Sequence, residues 1–255
     1  MFIVKTPRYR LCDMFGIPIY IDISFVVLLV VFAVTSHSFS YGLSEALVLA
    51  ISVILHELGH SSAARLFGYK THDITISLIG GCASLIAMPR KAWQELVTAL
   101  AGPLVSFALG GGALSVLWYV PIENIWLRDQ LFYMTWLNFI LGAFNLLPGF
   151  PMDGGRIFRS VLRAFLSRTR ATFVAMWVGR VFAILLGLWG LQAVLTGAPW
   201  GFVRIFIAWM IWKEGYREYL QARMESNWEY QDFRARVSPP PYGGDGDECD
   251  VTRRK

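Results

Sequence analysis

Residues 51–69 read ISVILHELGHSSAARLFGY, and the centre of the stretch is His56-Glu57-Leu58-Gly59-His60. On a helix, side chains four apart lie on one face. His56 and His60 can therefore reach one metal ion together. Glu57, one position past the first histidine, can act on a water held by that metal. Zinc takes imidazole nitrogen readily, and a catalytic zinc site leaves one position open for water. The metal lowers the pKa of such a water to roughly 7, where a carboxylate can remove its proton.

The setting is as informative as the pattern. Residues 47–55, LVLAISVIL, are almost wholly apolar. A chance HExxH on a soluble amphipathic helix would leave three buried polar groups without a use. Ionisable groups inside an apolar span are costly and mark functional sites by default.

The whole chain agrees with a membrane setting. Of 255 residues, 55% are hydrophobic and 16% charged, and the mean hydropathy is +0.48. That composition predicts a polytopic membrane protein. The predicted fold is all-α, with about six transmembrane helices and a short β-hairpin or sheet element near the site. Spans are expected at about 17–35, 44–67, 91–120, 131–147, 172–196 and 201–219. Residues 1–22 form an N-terminal cytoplasmic or interfacial segment, in which the β-branched alternation of GIPIYID reads as a short strand or interfacial piece, 23–212 the transmembrane domain, and 220–255 a cytoplasmic tail of disordered composition.

The ten Trp and ten Tyr fit bilayer interfaces. The net charge of +5 comes from loop Lys and Arg and sets orientation; no nucleic-acid partner is expected. Basic segments (the N-terminus, 65–91, 156–170 and the C-terminal region) alternate with segments poor in Lys and Arg (36–44, 121–130, 197–200). Both termini are therefore expected to be cytoplasmic. Cys12, Cys82 and Cys249 lack the spacing of a disulfide framework or zinc knuckle. The first residues show no cleavable signal peptide. His37 reads as a solvated loop residue, and the arginines at 156–170 as a solvated face.

Two irregular stretches bear on the site. Residues 71–88, THDITISLIGGCASLIAM, carry β-branched alternation around Gly80-Gly81, which predicts a hairpin. Its edge could pair with an unwound substrate backbone; a purely structural hairpin explains it equally well. Residues 145–156, NLLPGFPMDGGR, hold two prolines and three glycines, which cannot continue a helix. Such backbone at membrane depth is tolerated when buried in protein or lining a wet cavity. A helix is expected to resume near Gly155, and Asp153 could be only its N-cap. Catalytic zinc, however, usually has three protein ligands, and HExxH supplies two. Asp153 is the best-placed acid in the apolar body. Asp22, Glu45, Glu95, Glu123 and Asp129 fall near predicted span ends or in loops.

Together, HELGH at 56–60 and NLLPGFPMDGGR at 145–156 resemble the site-2 protease family of intramembrane zinc metalloproteases. AGP at 101–103 and GIPIYID at 16–22 agree. The likeness covers roughly residues 15–165, and the branch resembled is the six-span one that includes the sporulation pro-sigma-factor protease. The resemblance implies that one zinc ion is held by His56, His60 and Asp153, with Glu57 as general base. It implies cleavage in or near the transmembrane segment of a membrane-protein substrate, and a regulatory membrane protein as a further partner. No CBS pair or PDZ domain is expected. Asn145 is assigned to substrate or oxyanion, and Ser106 stands where relatives often have asparagine. The competing readings are a zinc transporter or sensor, where Glu57 would have no task, and an inactive homologue that binds membrane proteins. A bacterial cytoplasmic membrane is the expected location.

Overall fold

The computed structural model describes residues 8–14, 16–35, 38–77, 80–85, 91–198 and 200–237. His37 and the part of the expected tail from 238 to 255 lie outside the described residues.

In the N-terminal region the strand read in GIPIYID is present, and the span foreseen from about 17 starts later. β1 (Arg8–Met14) and β2 (Ile17–Asp22) form an antiparallel hairpin. Gly16 turns it at φ +75°, a conformation that L side chains rarely adopt. The first helix, α1 (Ile23–Thr35), has thirteen residues rather than the span foreseen from about 17. Its length of about 20 Å falls short of the ~30 Å bilayer core. The alternation in IPIYID explains the difference. Ile17 and Ile19 are buried on one face, as a half-buried strand requires, and Asp22 Oδ1 accepts from Ser24 N–H (2.8 Å) where the helix starts.

α2 (Phe39–Leu66) follows, then β3 (Thr71–Ser77) and β4 (Gly80–Leu85). The fold is thus mainly helical but not all-α: the strands form one four-stranded sheet in the order β1-β2-β3-β4. β2 and β3 pair in parallel, with Ile19 opposite Ile74 and Ile21 opposite Ile76, and α1 and α2 make the crossover. Parallel neighbours need such a long connection.

The sheet packs on one stripe of α2. Ile17, Ile19, Ile74 and Ile76 meet Ala50, Val53, Ile54 and Leu58 in the main buried cluster. Those helix positions recur at three- and four-residue steps, so they share a face. Ser52, His56 and His60 occupy another stripe, turned toward helices that come later in the chain. α2 stops in a glycine cap: Gly68, at φ +82°, donates to Arg65 O and Tyr69 to Ala64 O.

The remaining elements are α3 (Ala92–Tyr119), α4 (Ile125–Asn145), α5 (Asp153–Leu162), α6 (Arg168–Leu195) and α7 (Trp200–Val237). α2, α3 and α6 are each long and apolar enough to cross a membrane, and the chain is an integral membrane protein. α7 runs on through residues 220–237, where disorder was expected. The basic stretch at 156–170 also departs from expectation. Its first half lies in α5, and Arg159 is fully buried there rather than solvated. The reason is tertiary: Arg159 bonds Glu95 of α3, through Nε at 2.9 Å and through Nη2, and its Nη1 meets Glu218 of α7 at 2.9 Å.

Candidate metal centre

Three side chains converge between α2 and α5. His56 Nε2 lies 3.2 Å from Asp153 Oδ2 and His60 Nε2 lies 3.1 Å from the same oxygen. The two Nε2 atoms are 3.2 Å apart. All three residues are at least nine-tenths buried. The helical spacing that puts both histidines on one face is local; the approach of Asp153, 93 residues beyond His60, is the work of the fold.

Each imidazole is fixed from behind. His60 Nδ1–H donates to the Thr98 carbonyl of α3 at 2.8 Å. A carbonyl can only accept, so a neutral His60 has its lone pair on Nε2, aimed into the cluster. His56 Nδ1 lies 2.9 Å from Ser106 Oγ, also on α3. An imidazole that offers its Nε2 lone pair carries its hydrogen on Nδ1, so His56 is then the donor. Backing contacts of this kind orient metal-binding histidines.

The donor set fits a zinc ion. Two imidazole nitrogens and a carboxylate oxygen leave one position of a tetrahedral site open. Ligand atoms about 2.0–2.1 Å from a tetrahedral centre stand roughly 3.3–3.4 Å from one another, close to the observed 3.1–3.2 Å triangle. Three electron-rich atoms at such separations repel one another unless a proton or a metal ion lies among them.

Asp153 is not a helix cap. α5 begins at Asp153 itself, Met152 holds the cap position, and the Asp153 carboxylate turns to the histidines. Glu57, the neighbour of His56 on α2, is 8% exposed. Among the described residues its carboxylate has no hydrogen bond or ion pair. A buried carboxylate without a protein partner stands out, since burial of a charge is otherwise compensated.

The glycines of the two motifs are explained by space. A Cβ on Gly102 would overlap His60 Nε2 and lie 2.8 Å from His56 Nε2. Only glycine lets α3 pass this close behind the donor atoms. A Cβ on Gly154 would run into the Leu146 and Leu147 carbonyls, and one on Gly155 would lie 2.7 Å from the Gly149 carbonyl carbon. The irregular 146–152 segment thus folds back over the start of α5, which a side chain at either position would prevent. Gly102 and Thr98 were not singled out as site-forming in the sequence; AGP counted toward the family resemblance, and Ser106 was noted for standing where relatives often have asparagine, not as a partner of His56. A small residue facing a histidine pair has no signal until the helices are packed.

The other expected residues sit elsewhere in the local structure. Asn145 ends α4, and its Nδ2 donates within its own helix to Leu141 O at 3.0 Å. Gly80 and Gly81 begin β4, opposite Ser77 and Ile76. β4 is an edge of the sheet and packs beside α2.

The sequence pattern of peptidase family M50 matches residues 44–126 and 121–188, together more than half of the chain. The chain belongs to peptidase family M50. Both halves of the metal cluster fall inside the matched residues. A zinc metalloprotease of Methanocaldococcus jannaschii is 39% identical over 188 residues, 72% of this chain and 54% of that protein. A putative zinc metalloprotease of Synechocystis is 31% identical over 217 residues, 79% of this chain and 57% of that protein. The chain spans about half the length of these curated relatives. The solved structure of a site-2 protease from Methanocaldococcus jannaschii aligns with TM-score 0.63 and 32% identity, over 84% of this chain and 95% of that one. The M50 assignment and the donor set agree on zinc as the metal.

Proposed function

We propose that this M50 chain is an intramembrane zinc metalloendopeptidase that hydrolyses peptide bonds in or near transmembrane segments of membrane proteins. The observation that carries the reading is the buried triangle of His56 Nε2, His60 Nε2 and Asp153 Oδ2, with the unpartnered Glu57 carboxylate on the same helix.

His56, His60 and Asp153 would hold the ion. Zinc bound there supplies Lewis acidity toward the scissile carbonyl and toward a water. Glu57 takes the proton from the attacking water as oxygen bonds to the carbonyl carbon. It then delivers that proton to the amine as the C–N bond breaks. Thr98 and Ser106 keep both imidazoles turned to the ion throughout. The free edge of β4, at Gly80 and Gly81, would take an unwound substrate backbone by strand addition, and Asn145 would contact substrate or oxyanion.

The loop charges support about six membrane passages with both termini cytoplasmic, in a bacterial cytoplasmic membrane. α1 and the apolar part of α7 would supply the shorter passages. The substrate is then a membrane protein with a transmembrane segment, processed by regulated intramembrane proteolysis, with a regulatory membrane protein as a second partner.

The test compares wild type with Glu57→Gln in native membranes, scoring membrane-protein fragments by mass spectrometry and zinc on the purified proteins. The expected result is retained zinc and the accumulation of an uncut membrane protein. Identical fragments with zinc retained in both would remove Glu57 from catalysis and favour zinc transport or binding.

A further inference from the structure

The α6–α7 hairpin takes no part in the metal centre, yet it carries an unusual group. The Arg180 guanidinium lies 4.5 Å from the Trp212 ring centroid, 5.0 Å from Trp177 and 5.7 Å from Tyr216. Ring faces stabilise the charge but are poor hydrogen-bond acceptors. Arg180 Nε is buried without a hydrogen-bond partner, and among the described residues Arg180 has no carboxylate partner. Its Nε–H is unused, and among the described residues no protein group accepts from its two Nη atoms.

Two further cations stand beside it. Lys213 Nζ lies 4.8 Å from the Trp209 ring centroid, and Arg217 pairs with Glu214 at the surface. Lys213 and Arg217 are four residues apart on α7, a like-charge spacing that disfavours the helix unless an anion lies between. Arg180, Trp209, Trp212, Lys213, Tyr216 and Arg217 line one groove of about 480 Å³. The groove holds two more cations than the single carboxylate Glu214 offsets.

The height of the groove identifies its ligand. From Val181 to Leu195 α6 has no ionisable residue, and from Trp200 to Trp212 α7 has only Arg204. Charge returns on both helices at one level, where Arg180 faces Trp212 and Tyr216. The rings at that level are exposed, Trp177 by 47%, Trp209 by 54%, Trp212 by 41% and Tyr216 by 46%. Cations among exposed aromatics at the rim of an apolar slab are the composition of the lipid headgroup zone.

We propose that this groove binds the phosphate of an anionic phospholipid headgroup. Arg180 donates to the phosphate oxygens, Lys213 and Arg217 add charge, and the exposed Trp faces cover the glycerol and upper acyl chain. A soluble anion would use the cations but not the exposed rings.

The test uses the full chain in mild detergent, with phosphatidylglycerol, phosphatidylcholine or inorganic phosphate added. Retained lipid is counted by native mass spectrometry and thermal unfolding is followed in parallel. Wild type is expected to retain phosphatidylglycerol over phosphatidylcholine and to be stabilised by it saturably. Arg180→Gln is expected to reduce retention about fivefold. The Lys213→Gln/Arg217→Gln double variant, altered only at exposed positions, is expected to do at least as much and carries the test if Arg180→Gln does not fold. Arg204→Gln, which removes a cation held against Trp189 at 3.8 Å elsewhere on the hairpin, should leave retention unchanged. Equal retention of the two lipids by wild type, or undiminished retention by the folded variants, overturns the proposal. So does stabilisation by inorganic phosphate alone without lipid retention.

Discussion

Two buried polar clusters share α3 and α5, and they are built in opposite ways. In the first, Arg159 lies between Glu95 and Glu218, and Arg163 Nη1 meets the other Glu95 oxygen at 2.8 Å. The Arg159 guanidinium also lies 5.0 Å from the Phe150 ring, in the loop before Asp153. Every charge there has an opposite charge in contact. In the second, two imidazole nitrogens and a carboxylate oxygen face one another, and among the described residues Glu57 has no hydrogen bond or ion pair. Burial of charge is unfavourable in both places. The protein compensates the first cluster from its own side chains and leaves the second to a cation from outside. Compensation separates the structural cluster from the functional one, although both draw on α5 and pack against α3. The structural cluster also serves the functional one: Arg159 fixes α5 against α3 and α7 six residues beyond Asp153.

The comparison breaks most sharply at Gly102. Gly102→Ala puts a methyl group where the histidine nitrogens stand, so zinc content measured on the purified protein should fall to background and proteolysis with it. The helix itself should remain, since alanine favours helix. A Gly102→Ala protein with full zinc would refute the tight packing of α3 behind the donor atoms.

Arg159→Met tests the compensated cluster. It leaves Glu95 and Glu218 without their main partner, and loss of one member of a buried pair costs about 3–5 kcal/mol. Unfolding in mixed micelles should show that loss, and zinc affinity should fall because α5 is less firmly placed. If stability falls while zinc affinity holds, the two clusters are independent.

Ser106→Ala removes the group behind His56. Backing contacts to metal-bound histidines are worth about 10–100-fold in metal affinity or activity. Zinc competition against a chelator should show a loss of that size with little change in stability. Ser106→Asn, which restores a hydrogen-bond acceptor, should recover part of it.

The smallest effect is expected at a neutral contact. Asn138 Nδ2 of α4 donates to Ser52 Oγ of α2 at 3.0 Å. Polar contacts between membrane helices average about 0.6 kcal/mol, so Ser52→Ala should shift unfolding only slightly and leave zinc affinity unchanged. A large loss of zinc would show that the Ser52 end of the stripe matters to the histidines as well.

The legible parts of this protein were those set within one or two turns of chain. HELGH places two nitrogens on one face because helical geometry is local, and the prolines and glycines at 145–156 announced an irregular segment bearing an acid. The short strand at 17–22 was legible in the β-branched alternation of IPIYID, but the start of the first span was blurred because an apolar run precedes an apolar helix, and only pairing with β1 and β3 separates the two. The arginines from 156 on were read as solvated because the one acid near them in sequence, Asp153, was assigned to the metal and no other follows until Glu214. Their partner Glu95 comes 64 residues earlier and Glu218 comes 59 residues after Arg159.

The sequence by itself determined the donor types, the helical spacing that pairs His56 with His60, and the apolar setting that gives buried donors their meaning. Tertiary structure brought Asp153 to the histidines and decided which groups turn the imidazoles and which glycine makes room behind them. Thr98, Ser106 and Gly102 are unremarkable on their own helix and become parts of a site only where α3 crosses α2. The physical reason is range: backbone geometry fixes neighbours four residues apart, whereas contact across 93 residues exists only once helices pack.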